Sequence, residues 1–493
     1  MERPNILLIT TDQQRADMLG CYGNPVIRTP NVDRMAQEGV RFDRAYVANP
    51  LCMPSRATIM TGQFPSKHGV YSNGIPLREE IPTLPGALTD AGYYTAALGK
   101  LHLTPYGGNG YRESVADWET QPYGDWHGPY YGFQEVHLIL GHNGPAGHFG
   151  EWLQEHHPDV PEKFWQIEGR RGPANTPITW KSAVPVEAHS STWVGNVTVD
   201  FLRSRPADQP FFAWASFPDP HHPFCPPEEI ADMYNPADVP LPPRRPGDLD
   251  SRPPQYKAWY EEGVRHEGFG GNFIPAKLSE ANLREMIAFN YAEVTLIDQN
   301  VGRILAELDR QGLAENTIVI FTADHGELLG EHGLLLKGPF MCEGLLRVPF
   351  VVCWPRGQGE AGAATEALVS LTDLMPTLLA AAGVAIPDGV QGRSFLPVLA
   401  GEAPAVRDAV LTEFHSTYFP DLNLRTLRTP DYKLVYYPGK PYGELYDLQK
   451  DPDEFENRWD DAAYAQVRNE LMQRLVDELI GQETDRPGPI AHA

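Results

Sequence analysis

The chain has 493 residues and a formal net charge of −25, so it is long enough for a large domain plus a smaller one and has no basic excess with which to neutralise nucleic-acid phosphates. A small anionic substrate would have to be drawn into a concentrated positive site against an unfavourable overall field. The cysteines, Cys21, Cys52, Cys225, Cys342 and Cys353, are odd in number and scattered, which fits neither a disulfide framework nor a zinc cluster and points to a reducing compartment. The N-terminus shows no secretory pattern and no apolar run is long enough to span a bilayer, so a soluble cytoplasmic protein is expected.

Ile6 to Ile9 is a continuous apolar run of the kind buried on both faces of a parallel sheet. It delivers Asp12 and Gln13 to the strand's C-terminal end, where open α/β sheets hold ligands; taken alone, Asp12 reads better as a helix N-cap. Thr29 to Gly39 is helical in pattern, and Val40 to Val47 leads into Cys-Met-Pro-Ser-Arg-Ala-Thr-Ile-Met-Thr-Gly, from Cys52 to Gly62. Pro54 and Ser55 suggest a helix start, since proline is tolerated in a first turn. Cys52 then lies beside a helix N-terminus, which favours an anion or thiolate; the alternative is a small buried hydrophobe. Asn73-Gly74 is turn chemistry. Leu84 to Ala91 reads as a helix and Tyr93 to Leu98 as a strand that hands over Gly99, Lys100, Leu101 and His102, with alternation placing Lys100 and His102 on one side of an extended segment.

Pro105 to Ser190 is rich in Gly, Pro, Trp, Tyr and His without sustained periodicity, and is expected to wall the mouth of a site. Trp193 to Leu202 is a helix, and Phe211 to Phe217 a buried strand ending in a proline-flanked pair, His221 and His222. After the proline-rich stretch from Pro226 to Pro275, a long amphipathic helix runs from Ser279 to Gly312. Thr317 to Thr322 is the next strand and presents Asp324 and His325, a pair that suits a hard or borderline divalent cation. Lys337 follows in an apolar loop, Val348 to Cys353 is a strand, and Leu371 to Ala382 a helix. From about Asp408 short alternating strands suggest an antiparallel sheet, covered by a helix from Ala462 to Ile480. The tail from Asp485 to Ala493 reads as a disordered end or an arm.

The Cys-x-Pro-Ser-Arg pattern at 52–56 with Thr61-Gly62 resembles the signature of type I sulfatases, a branch of the alkaline phosphatase superfamily, in which a separate maturation enzyme oxidises the cysteine to formylglycine before folding. The resemblance extends over nearly the whole chain and is weakest in the loops at 105–190 and 226–275. It implies an α/β fold, with a large mostly parallel sheet sandwiched by helices over residues 1–405 and a small antiparallel four-stranded sheet plus helix over 406–493. It implies one divalent metal, Ca2+ or Mn2+, held by Asp12, Asp324, His325 and the oxygen of residue 52. Arg56 and Lys100 would fix the hydrated formylglycine, His102 would contact its hydroxyl, and His221 and Lys337 would meet the sulfate and the leaving oxygen. Asn73 would contact substrate.

Two positions depart from the common sulfatase pattern. Gln13 replaces a second acidic residue and His325 an asparagine, and both look like choline sulfatases and phosphonate monoester hydrolases. Lys100 and His102, which the latter replace with neutral hydroxyl residues, favour sulfate esters. The leading expectation is hydrolysis of aryl or alkyl sulfate monoesters through a formylglycine gem-diol. The alternative is a phosphonate monoester or phosphodiester hydrolase with the same nucleophile. A metal-stabilised binding protein with unmodified Cys52 would require Cys52, Arg56, Asp12 and Asp324 to be relics. The expected partners are a small sulfate ester and the maturation enzyme, with neither nucleic acid nor membrane; a homo-oligomer is expected by resemblance alone.

Overall fold

The computed structural model describes residues 3–482 apart from 121, 122, 124, 143, 172–175, 177, 267–270 and 416–420, so the expected arm at the C-terminus lies outside the described residues. The strands are β1 (Asn5–Thr11), β2 (Val40–Tyr46), β3 (Tyr94–Gly99), β4 (Glu135–Leu138), β5 (Phe211–Ser216), β6 (Val264–His266), β7 (Gly271–Phe273), β8 (Thr317–Ala323), β9 (Arg347–Val348), β10 (Phe350–Cys353), β11 (Ala363–Ser370), β12 (Val410–His415), β13 (Asn423–Arg428), β14 (Tyr432–Tyr436) and β15 (Glu444–Asp447). The main sheet is ordered β11-β2-β10-β8-β1-β5-β3-β4, with β9 paired to β2. Its core, β8, β1, β5, β3 and β4, is parallel throughout, while β10 runs antiparallel to β8.

The apolar runs occupy the centre of this sheet, where both faces are covered. Every residue of β1, β5 and β8 is buried. Ile6, Leu8, Phe212, Trp214, Ile318 and Ile320 face one core, and Leu7, Ile9, Phe211, Ala213, Val319 and Phe321 the other, as the two-residue period of a strand requires. The main helices are α1 (Pro30–Glu38), α2 (Cys52–Thr61), α3 (Ser190–Ser204), α4 (Glu280–Arg310) and α5 (Ala465–Gly481). Helix α2 lays Met53, Ala57, Ile59 and Met60 on the first face; α3 and α4 cover the second, with Trp193, Phe201, Leu283 and Ile297 among their contacts. A reciprocal capping box between Ser279 and Asn282 starts α4, satisfying two backbone donors that the helix itself leaves open.

Two stretches differ from their sequence reading. The segment at 105–190 contains β4, which extends the parallel sheet, and a helix at His148–His156; β4 is four residues long, too short for its alternation to stand out. Val348 to Cys353 divides at Pro349 into β9 and β10, since proline brings no N–H to the ladder.

The parallel strands release their C-terminal ends along one edge of the sheet, so Asp12, Lys100, His221 and Asp324 leave from neighbouring positions. The end of β3 depends on Gly99, which has φ 115° and whose added Cβ would lie 2.0 Å from the Ser216 carbonyl oxygen. Gly99→Ala is therefore expected to destabilise the fold by about 2–5 kcal/mol, combining the left-handed penalty with overpacking. A melting temperature equal to that of the native protein would refute this.

The C-terminal sheet, β12-β13-β14-β15, is antiparallel, and Leu411, Leu427, Leu434 and Leu445 pack with Leu471 and Leu475 of α5. It also clasps the chain just ahead of α2. Thr412 Oγ1 donates to the Val47 carbonyl at 2.6 Å, Glu413 N to that of Ala48 at 2.8 Å, and Asn49 Nδ2 to the Glu413 carbonyl at 2.8 Å. Among the described residues no helix is long and apolar enough to cross a membrane, and all five cysteines are free.

Candidate active site

Helix α2 begins at Cys52 itself, two residues earlier than the proline suggests. Its N-cap Leu51 offers no side-chain acceptor; instead Asn73 Oδ1 accepts from Met53 N at 3.1 Å, meeting one of the donors that a helix start leaves open. Asn73 is thus an exposed turn residue that caps the helix carrying Cys52. Four residues along, Arg56 lies one turn from Cys52 on the same helical side, and neither is exposed.

Arg56 ties the strand ends together. Its Nε donates to Asp324 Oδ2 at 2.7 Å, Nη2 to Asp12 Oδ2 at 3.3 Å, and Nη1 to the Lys100 carbonyl at 2.6 Å and to Ser216 Oγ at 2.8 Å. A buried guanidinium is tolerable only with carboxylate and carbonyl partners of this kind. Asp12 Oδ2 also accepts from Lys100 Nζ. Burial pushes the Asp12 pKa up, but Lys100 and Arg56 outweigh it and hold the carboxyl well below its usual range. Asp324 Oδ1 accepts the backbone N–H groups of Gln13 at 3.0 Å and of His325 at 2.9 Å.

Cys52 Sγ lies 3.6 Å from Asp12 Oδ1, 3.3 Å from His325 Nε2 and 2.8 Å from Lys337 Nζ. Lys337 Nζ is also 3.0 Å from His221 Nε2 and 3.1 Å from His325 Nε2. One donor atom from each of Asp12, Cys52, Asp324 and His325 falls within 4.8 Å of the others, and all four residues are buried. Burial and Lys337 bring the His325 pKa down to about 4, against the pull of both aspartates. Two carboxylates and a neutral imidazole form a donor set that fits a divalent cation. The Cys52 thiol is pushed up by burial and by Asp12, with Lys337 and Lys100 opposing. As encoded, Cys52 is a protonated thiol at neutral pH rather than a thiolate nucleophile.

Lys100 and His102 both reach this region, though not by strand alternation. His102 has φ 56°, so the backbone turns there. Its N–H donates to the buried carboxylate of Glu113, as do those of Leu103 at 2.9 Å and Thr104 at 3.1 Å. The His102 ring lies 4.9 Å from that of Tyr106 and 6.1 Å from that of His142, and its buried Nδ1 has no hydrogen-bond partner among the described residues. Gln13, with φ 64°, directs its amide to His222 Nδ1 at 3.1 Å and to Glu327. His222, the member of the proline-flanked pair to which the resemblance gives no role, is thereby tied to the site.

Sequence reasoning passes over three contributors. Glu113 holds the turn after Lys100. Glu327 accepts from Leu329 N at 3.0 Å and from Leu336 N, fixing the loop that carries Lys337. His142 lies 2.8 Å through Nδ1 from Lys100 Nζ and stacks on His221 with ring centroids 3.4 Å apart and planes 7° from parallel. The signal for His142 was its place just after the apolar run Leu138 to Leu140 and between glycines, a strand-end position like that of His221.

A carboxylate and imidazole set at parallel strand ends, beside a cysteine at a helix N-terminus, is the arrangement of a metal-dependent hydrolase of the alkaline phosphatase superfamily. The sulfatase family profile matches residues 4–384, and a profile for the C-terminal part of N-sulphoglucosamine sulphohydrolase matches 330–480; the chain belongs to the sulfatase family. It is 32% identical over 496 residues to an arylsulfatase of Clostridium perfringens, covering 98% of this chain and 95% of that one. Against a choline-sulfatase of Rhizobium meliloti the identity is 28% over 467 residues, covering 92% and 82%. The crystal structure of a phosphonate monoester hydrolase of Agrobacterium radiobacter matches with a TM-score of 0.83 at 28% identity, covering 97% of this chain and 96% of that one. The chain is a sulfuric ester hydrolase.

Proposed function

We propose that the chain hydrolyses aryl or alkyl sulfate monoesters with a nucleophile formed from Cys52 by conversion to formylglycine. One divalent metal would be held by Asp12, Asp324, His325 and residue 52. The observation that carries this reading is the convergence of Asp12, His325 and Lys337 on Cys52 Sγ, which stands where the oxygen of the converted residue would lie. When bound, the metal would acidify that hydroxyl and polarise a sulfate oxygen. The hydrated aldehyde would supply a second hydroxyl, so that sulfate can leave without a water attacking the hindered sulfur.

The chain's own groups do the rest. Arg56 keeps Asp12 and Asp324 oriented, and Lys100 balances Asp12 beside the nucleophile. Lys337 spans the gap between Cys52 and His221, where it would meet the charge growing on the leaving oxygen. His221 would hand that oxygen its proton, His102 would meet the nucleophilic residue, and Asn73 would offer its exposed amide to substrate. Calcium and manganese are both proposed for the site, the imidazole of His325 being the feature that brings manganese in. The five free cysteines support a cytoplasmic setting, and the separate sheet β12 to β15 supports a catalytic part over 1–405 and a smaller one over 406–493. Dependence on a maturation enzyme and a homo-oligomeric state rest on family resemblance.

Gln13 and His325 keep phosphonate monoester hydrolysis as the second reading. Turnover of matched aryl sulfate and aryl phosphonate esters separates the two, and a sulfate preference is expected. A sulfate offers three non-bridging oxygens, whereas a phosphonate puts a carbon in place of one and leaves a donor unpaired, at a cost of about 1–3 kcal/mol. Replacing Lys100 and His102 together with neutral residues is expected to lower sulfate turnover by about 10²–10³-fold and phosphonate turnover by less. Equal losses would show that the pair serves the nucleophile alone, and a native preference for phosphonate would put the second reading first.

A further inference from the structure

The geometry points to His142 as a further leaving-group contact, an imidazole that donates a hydrogen bond to the bridging oxygen of the ester beside His221. The inference rests on the sulfate-ester reading above and assigns a residue that the signature motif does not reach.

His142 follows β4 by four residues, and the parallel register of β4 on β3, from Ala96 opposite Glu135 to Gly99 opposite Leu138, makes the chain leave the sheet on the same edge as Lys100. Lys100 Nζ lies 2.8 Å from His142 Nδ1 and 3.3 Å from Nε2. A ring nitrogen of His142, one of His221 and the Cys52 sulfur all lie within 4.8 Å of one another. These contacts make an arc over the nucleophile, running from Asp12 through Lys100, His142, His221 and Lys337 back to Cys52.

Exposure orders the arc. Asp12 and Cys52 are wholly buried, and Lys100 and His221 are 1% and 4% exposed, whereas His142 and Lys337 are half-buried. The transferred group belongs at the deep end, against Cys52 and the carboxylates, so the alcohol must extend outward past the two half-buried members. The bridging oxygen joins those two parts of the ester and therefore lies along the stretch of the arc that runs from His142 through His221 to Lys337.

The chemistry suits that place. The Lys100 ammonium has protons only to give, so the nearer His142 nitrogen, Nδ1, accepts and the proton resides on Nε2. Burial and Lys100 both disfavour a charged His142 ring, which leaves a neutral donor. Such a donor requires no proton transfer of its own. Its hydrogen bond strengthens as charge develops on the leaving oxygen and is weakest in the ground state, the condition under which a contact accelerates a reaction.

The alternative role for His142 is to prop Lys100, and leaving-group dependence separates the two. Converted, metal-loaded enzyme would be assayed on aryl sulfates whose phenols span several pKa units, comparing the native protein with His142→Ala and His142→Gln. The expected loss in kcat/KM for His142→Ala is about 10-fold for the most acidic phenol, growing to about 10²–10³-fold for the least acidic. His142→Gln, which retains an N–H donor, should recover part of the loss, with metal content and melting temperature unchanged in both. A loss of equal size across the series would assign His142 to holding Lys100 and overturn the inference, as would no loss at all. Native enzyme that turned over none of the sulfates would instead overturn the sulfate-ester reading, an outcome recognisable before any variant is made.

Discussion

Cys52→Ala is expected to lower turnover of an aryl sulfate by at least about 10⁴-fold, because removing the nucleophile from a set of groups that act as a unit leaves only binding and charge stabilisation. The rest of the pocket should survive: Arg56 keeps its partners on Asp12, Asp324, Lys100 and Ser216, none of which passes through the sulfur. The same position supplies a test of its chemical state. Burial and Asp12 raise the thiol pKa, so an unconverted sample should be close to inactive at neutral pH, and activity should track the fraction of the Cys52 peptide that has lost its sulfur by mass spectrometry. Full activity in protein that is wholly unmodified cysteine would sink the assignment.

Asp324→Ala carries the second large effect. The carboxylate accepts Arg56 Nε through one oxygen and two backbone N–H groups through the other, so its loss leaves Arg56 buried with one carboxylate partner fewer and the turn at Gln13 unsupported. Breaking one side of a buried ion pair costs about 3–5 kcal/mol, and a site deprived of one of two carboxylates binds a divalent ion poorly. Elemental analysis is expected to show metal lost along with turnover. Native metal content in a folded Asp324→Ala protein would remove Asp324 from the ligand set.

What could be read in advance follows from where the physics is local. The strands β1, β5 and β8 announce themselves because burial on both faces demands unbroken apolar runs, and Asp12, His221 and Asp324 are found by looking where those runs stop. Cys52 and Arg56 share one short helix that Gly62 caps, so their relation is fixed by spacing along the chain. Gln13 and His102 are different: each has a positive φ without being glycine, and although histidine visits that region more often than most residues, nothing in the local sequence marks the turn. His142 and Glu113 stayed hidden because they come from a stretch whose described strand, β4, is short, and both lie in bends or turns outside any regular element.

The clasp of β12 on the chain ahead of α2 puts a clock on this protein. Val47 and Thr412 are 365 positions apart, and at about 5–20 residues per second a ribosome needs roughly 20–70 s to make the intervening chain. During that interval the stretch leading to Cys52 lacks the strand that pins it, while in the finished fold Cys52 is wholly inaccessible. On the formylglycine reading proposed above, an enzyme that converts Cys52 would have its access decided by translation speed and by how soon the C-terminal sheet docks. Slowing synthesis downstream of Cys52 would lengthen the opening without altering a single contact in the folded molecule.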